Sequence, residues 1–111
     1  MAVSQLASGT QAATVTTEHT LSTQSAQGAY SLIVDLSNMV SGDEVVLRVK
    51  IPGKTSGTSR VCFTGRYDYN GSQLTPIAIS PVIAATAWVA TLQQTDGTSR
   101  NFDWSVQGQV G

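Results

Sequence analysis

The chain has 111 residues, one cysteine, only 12% charged positions and a formal net charge of −1. That length suits one domain around a single core; one cysteine excludes an intrachain disulfide and a thiolate metal cluster, and the lack of a basic footprint argues against nucleic acid. No run approaches the ~18 apolar residues of a membrane-crossing helix, and the N-terminus lacks the cationic start and apolar run of a signal peptide, so a protein made in a cytoplasm and used in soluble or assembled form is expected.

Residues 1–13 are small and polar without a usable period, and are expected to be a flexible arm ahead of a β domain over 14–111. A Thr-rich strand is expected from Thr14 to Leu21. The run "AYSLIVDLS" places Tyr30, Leu32, Val34 and Leu36 on one face, with Ser31 and Asp35 opposite, which is strand alternation. Gly42-Asp43 marks a turn. The run "EVVLRVKI" then turns Val45, Leu47, Val49 and Ile51 inward and Arg48 and Lys50 outward, until Pro52-Gly53. In "RVCFTGRYDYN" the residues Val61, Phe63, Tyr67 and Tyr69 are taken to share a phase, and Asn70-Gly71 is a tight-turn pair. Pro76 and Pro81 confine the next segment to edge strands or connections. Trp88, Ala90 and Leu92 then share a face, and "NFDWSVQGQV" ends the chain with Phe102, Trp104 and Val106 on its apolar side. No helical period of useful length occurs. Seven or eight short strands predict an all-β, single-domain antiparallel sandwich of jelly-roll type.

Six letters are nearly repeated, "TSGTSR" at 55–60 and "TDGTSR" at 95–100. Each copy lies between alternating apolar runs and reads as a hairpin loop whose glycine supplies a positive φ, with Arg60 and Arg100 opening the outgoing strands. Two readings stand at this point: similar turns that arose separately in a Thr/Ser-rich chain, or two equivalent hairpins at one end of the sandwich that jointly form a contact surface.

Chemistry-bearing patterns are sparse. His19 is the single histidine, beside Glu18, and no G-x-S-x-G elbow accompanies it. Cys62 has no sequence neighbour that would activate a thiolate and reads as structural. The carboxylates are scattered and form no calcium loop, and "GKTSGTS" lacks the upstream glycine and following helix of a phosphate-binding loop. Tyr67, Tyr69, Trp88, Phe102 and Trp104 suit a core better than a sugar-stacking platform. No catalytic residue, cofactor or metal is therefore predicted. The candidate interface residues are Arg48, Lys50, Arg66 and Asp68, which alternate outward on successive strands, together with Arg60, Asp96 and Arg100 at the repeat loops. If those strands pair, the first four make one polar face, either a set of exposed ion pairs contributing roughly 0–1 kcal/mol each or a docking surface.

The runs "LIVDLSNMVSGDEVVLR", Leu32 to Arg48, and "LQQTDGTSRNFDW", Leu92 to Trp104, resemble a family of small structural proteins of tailed phages similar to capsid decoration (cement) proteins, the likeness covering roughly residues 20 to 107. The resemblance implies a β-sandwich that binds the outer surface of the major capsid protein lattice, stabilises the head, and forms a homo-oligomer there, a dimer or trimer. Its place would be the virion surface, after synthesis in the host cytoplasm, without contact to nucleic acid or membrane. Another virion component (tail tube, head–tail connector or fibre-associated module) and a carbohydrate-binding sandwich are the alternative expectations.

Overall fold

A computed structural model of the chain describes residues 3–69 and 76–110. Among them are nine strands: β1 Ser4–Ala12, β2 Glu18–Gln24, β3 Gly28–Asp35, β4 Glu44–Pro52, β5 Ser59–Asp68, β6 Ile77–Ile79, β7 Ile83–Ala85, β8 Trp88–Asp96 and β9 Asn101–Val110. They form two antiparallel sheets packed face to face, so the all-β sandwich is what the chain builds. Sheet A runs β1-β9-β3, with β6 and β7 sharing the far side of β3, and sheet B runs β2-β8-β4-β5.

The core follows from alternation. Tyr30, Leu32 and Val34 of β3, Val45, Leu47 and Val49 of β4, Trp88, Ala90 and Leu92 of β8, and Phe102 and Val106 of β9 are all buried. The central strands β3, β4, β8 and β9 thus supply nearly all of the apolar layer, and the rings of Tyr30 and Trp88 meet across it at 5.5 Å between centroids. Full burial of each such side chain stabilises by about 1.5–3 kcal/mol. The Tyr30 hydroxyl keeps a partner by donating to the Ala26 carbonyl.

Three expectations are corrected. Residues 4–12, expected within a flexible arm, are the edge strand β1, paired along β9 from Ser4↔Gly108 to Ala12↔Asn101. Their inward residues Ala7, Gly9 and Gln11 are too small or polar to leave an apolar period, because an edge strand over Val106, Trp104 and Phe102 covers little core. The strand expected over Thr14 to Leu21 begins only at Glu18, after a turn in which Thr16 takes φ 75°. Val61 is out of phase with Phe63: Val49 pairs with Phe63 but Lys50 with Val61, so Cys62 is an extra residue and Val61 turns outward, 50% exposed. The tight turn expected at Asn70-Gly71 lies outside the described residues.

Comparable insertions recur on the other edges. Leu6 is the extra residue in β1 and Leu21 in β2, and both side chains turn onto the core. The remaining edge is broken between β6 and β7, as the two prolines foretold. At that break Ser80 N donates to Leu32 O at 2.9 Å, Ser80 Oγ accepts from Leu32 N at 2.8 Å, and Ser31 Oγ donates to Ser80 O at 2.8 Å. Every sheet edge is therefore interrupted, which blunts strand-to-strand addition of another chain.

Removal of residues 1–12 tests the status of β1. Loss of its ladder and of the Leu6 contact is expected to cost about 3 kcal/mol or more and to red-shift Trp104 emission; a dispensable arm would leave both the melting temperature and the emission unchanged.

Candidate functional site

Sheet B carries its charge on the outer face because β4 alternates. With Val45, Leu47 and Val49 committed to the core, Val46, Arg48 and Lys50 must point the other way. Register then brings β2, β5 and β8 groups beside them. Glu18 Oε2 lies 3.1 Å from Lys50 Nζ and 3.6 Å from Arg48 Nη1, and accepts from Thr91 Oγ1 at 2.6 Å. Arg48 Nη1 also donates to Gln93 Oε1 at 2.8 Å, and Gln93 Nε2 donates to Thr16 O at 3.0 Å. The Thr91 hydroxyl first, then Lys50 and Arg48, hold the Glu18 carboxyl below its ordinary value against an opposing effect of partial burial. Towards the other end of β4, Arg66 Nη1 pairs with Glu44 Oε1 at 2.6 Å, and Thr95 Oγ1 donates to the same oxygen at 2.5 Å. Asp68 stands opposite Glu44 in the ladder. The hydrogen bond from Thr95 lowers the Glu44 carboxyl, and Glu44 in turn raises that of Asp68. Beneath these side chains Val46 is buried although it belongs to the outer face.

The structure thus brings Arg48, Lys50, Arg66 and Asp68 together on one polar face. Glu18, Glu44, Thr91 and Gln93 complete it and were not singled out in the sequence, because their proximity depends on the pairings β2·β8, β4·β8 and, for Glu44 with Arg66, β4·β5. Asp96 stands opposite Glu44 at the end of this face, while Arg60 and Arg100 lie elsewhere.

The two repeat loops are at opposite ends of the sandwich. β8 runs antiparallel to β4, so Glu44 faces Asp96 while Lys50 faces Val89. The 97–100 loop therefore sits at the start of β4 and the 53–58 loop beyond its end, about 25 Å away along the strand. They also differ in kind. The first copy closes a true hairpin between β4 and β5; its positive φ is on Ser56, at 69°, while Gly57 N donates to Lys54 O at 2.9 Å. The second copy carries the chain from sheet B to sheet A, with Gly97 at φ 90°. The expectation of two equivalent hairpins at one end that jointly form a contact surface is therefore corrected.

The second loop is organised by buried polar groups. Asp43 accepts from Val40 N at 2.9 Å, Thr98 N at 3.2 Å and Arg100 Nε at 2.9 Å, with its side chain 1% exposed. Gln94, fully buried, donates to Asp96 O and Thr98 O and accepts from Arg100 N. A Cβ on Gly97 would come within 2.0 Å of Asp43 Oδ1, so the close approach as well as the φ requires glycine. Burial pushes the Asp43 carboxyl up, but the Val40 N–H, the Arg100 guanidinium and the Thr98 N–H outweigh it and leave it below the ordinary value. Arg100 is thus a structural ion-pair partner rather than a free rim cation.

The remaining sequence candidates find quiet places. His19 Nε2 accepts from Thr14 N at 3.0 Å, and the Cys62 thiol, raised by desolvation, donates to Val49 O at 3.3 Å. Trp88 and Phe102 are in the core, while Tyr67, Tyr69 and Trp104 pack against it. Among the described residues no three His, Cys, Asp or Glu side chains are grouped to hold a metal ion. The site's chemistry is that of an ion-paired and hydrogen-bonded polar face. Comparison of the chain with protein-family models, with curated proteins and with solved structures yields no match.

Asp43→Asn is expected to destabilise by about 3 kcal/mol at neutral pH, because it leaves Arg100 half-buried without its counter-charge. A carboxyl whose folded pKa is lowered stabilises above the unfolded value of about 3.9 and loses that contribution as pH falls through the folded pKa. Denaturant titrations of the two proteins should therefore differ most near neutrality and converge in acid; a gap that persists in acid would remove the ion pair as its cause.

Proposed function

We propose that the protein is a structural component of a tailed-phage virion, a decoration protein that binds the outer surface of the major capsid protein lattice and stabilises the head. The observation that carries this reading is the outer face of sheet B. Its cations and carboxylates are already held in position by one another, so docking onto a partner surface freezes few side chains further. Such pre-organisation lowers the entropic cost of binding. The Leu32–Arg48 and Leu92–Trp104 runs, on which the resemblance rests, are the central strands and crossovers of both sheets.

The strand order adds support. With β6 and β7 counted as one broken strand, successive segments change sheets everywhere except at the β4–β5 hairpin. That order supports a jelly-roll reading, an architecture used by viral capsid and lectin domains. The aromatic side chains favour the first of these uses, because Trp88 is in the core and Trp104 lies against Gly9, which leaves neither as an open sugar platform. A bound decoration protein stabilises the assembled shell by mass action, and many copies on one lattice add their weak contacts.

Quantitative mass spectrometry of purified particles tests the assignment. One copy per shell subunit, or a simple fraction of that, is expected; a few per cent moves the protein to the tail or connector, and absence from particles overturns the virion reading. Reversing Arg48, Lys50 and Arg66 to Glu is expected to weaken binding to undecorated shells at least about tenfold, read by cosedimentation.

A further inference from the structure

The fold sorts the charges in a way the linear sequence conceals. Four of the six cations have a carboxylate partner within the chain: Arg48 and Lys50 share Glu18, Arg66 pairs with Glu44, and Arg100 with Asp43. Lys54 and Arg60 remain, both exposed on the β4–β5 hairpin and in no ion pair among the described residues. Half-exposed Val61 adjoins them.

The outer face of sheet A is the converse. Its strands carry Asp35 and Asp103 and no cation at all. The two carboxylates line one shallow groove of about 240 Å³ together with Ile33, Ile77 and Ser105. Asp35 accepts from Ser37 N at 2.9 Å and Asp103 from Thr10 Oγ1 at 2.6 Å, so both are hydrogen-bonded but neither meets a positive charge among the described residues. Beside them runs an apolar strip: Ile33 pairs with Ile79 and Asp35 with Ile77 in the ladder, and Ile79 and Ile77 are 61% and 42% exposed.

We infer that the outer face of sheet A is the docking site for the β4–β5 hairpin of a second copy of this chain, with Lys54 and Arg60 of one copy set against Asp35 and Asp103 of the next and the Ile33–Ile77–Ile79 strip covered by the hairpin. Two unmatched cations on one surface answer two unmatched carboxylates on another, and in a monomer both pairs are left without counter-charges. The interrupted sheet edges favour contact through side chains over strand addition. Joining two different surfaces, the contact closes either reciprocally in a dimer or head-to-tail in a ring. The burial of the isoleucines supplies affinity, while the charges set register and partner choice.

This contact deepens the decoration reading by naming the surfaces through which copies meet, and it leaves the outer face of sheet B free for the shell. The test uses the purified full chain without shells, in sedimentation velocity at low and high salt. Wild type is expected to self-associate reversibly, more weakly in high salt. K54E/R60E alone, and D35K/D103K alone, should each associate at least about tenfold more weakly, because each sets like charges against like. An equimolar mixture should recover association, since the acidic hairpin of one variant then meets the basic face of the other. Melting temperatures establish that the variants are folded, and D35N/D103N serves if the reversal at the groove unfolds the chain. A wild type that stays monomeric, variants that associate as tightly as wild type, or a mixture that fails to recover would each overturn the contact. A monomer that still binds shells would do so while leaving the capsid reading intact; an oligomer that does not bind them would overturn the capsid reading alone.

Discussion

The buried carboxylate of Asp43 holds together the two places where the chain changes sheets at one end of the sandwich. The segment from β3 to β4 passes from sheet A to sheet B, and the segment from β8 to β9 returns. Asp43 stands in the first and takes hydrogen bonds from Thr98 and Arg100 in the second. Its backbone carbonyl also accepts from Tyr69 N at 3.1 Å, tying in the end of β5. An isolated carboxylate in such a position would cost several kcal/mol in desolvation. Two backbone N–H groups and one guanidinium offset that, and Gln94 bonds Asp96 O, Thr98 O and Arg100 N in the same loop. The two sheets are therefore joined at this end by directional bonds as well as by the apolar layer, which fixes their mutual register.

From that register the surface chemistry follows. Once β4 is placed with its branched apolar residues inward, its cations must lie outward, and its partners β5 and β8, with β2 beyond β8, deliver Arg66, Asp68, Gln93 and Glu18 beside them. The result is a face whose charges are mostly satisfied internally. The cations left unsatisfied are on the β4–β5 hairpin, and the carboxylates of sheet A have none of their own. A chain with so few charged residues cannot scatter them without consequence: each unpaired one marks a surface where a partner's counter-charge would be most effective.

Legibility in the sequence tracked burial. The four central strands were readable because each packs one whole face into the core, so that Tyr30-Leu32-Val34, Val45-Leu47-Val49 and Trp88-Ala90-Leu92 repeat with period two. The edge strands were not. β1 covers the core with Ala7, Gly9 and Gln11, which carry no apolar period, and its most apolar residue, Leu6, sits in an insertion where alternation fails. The same failure reversed the expected direction of Val61. Of the candidate interface residues, Arg48, Lys50, Arg66 and Asp68 were found by alternation alone, whereas the ion pairs of Glu18, Asp43 and Glu44 form only through contacts spanning tens of residues. The repeated hexapeptide misled for a related reason: six letters encode a local turn, but not which ends of which strands the turn joins.

By itself, the sequence determined that this is a single all-β domain, which segments form its central strands, and which of their residues turn inward, because those properties depend on period-two patterning and on turn residues acting over a few positions. The tertiary structure decided the strand order, the insertions that re-aim Leu6, Leu21 and Val61, the buried Asp43–Arg100 pair, and which charges remain without partners. Those depend on non-local register, and a shift of one residue in pairing exchanges the two faces of a strand without changing a letter of the chain.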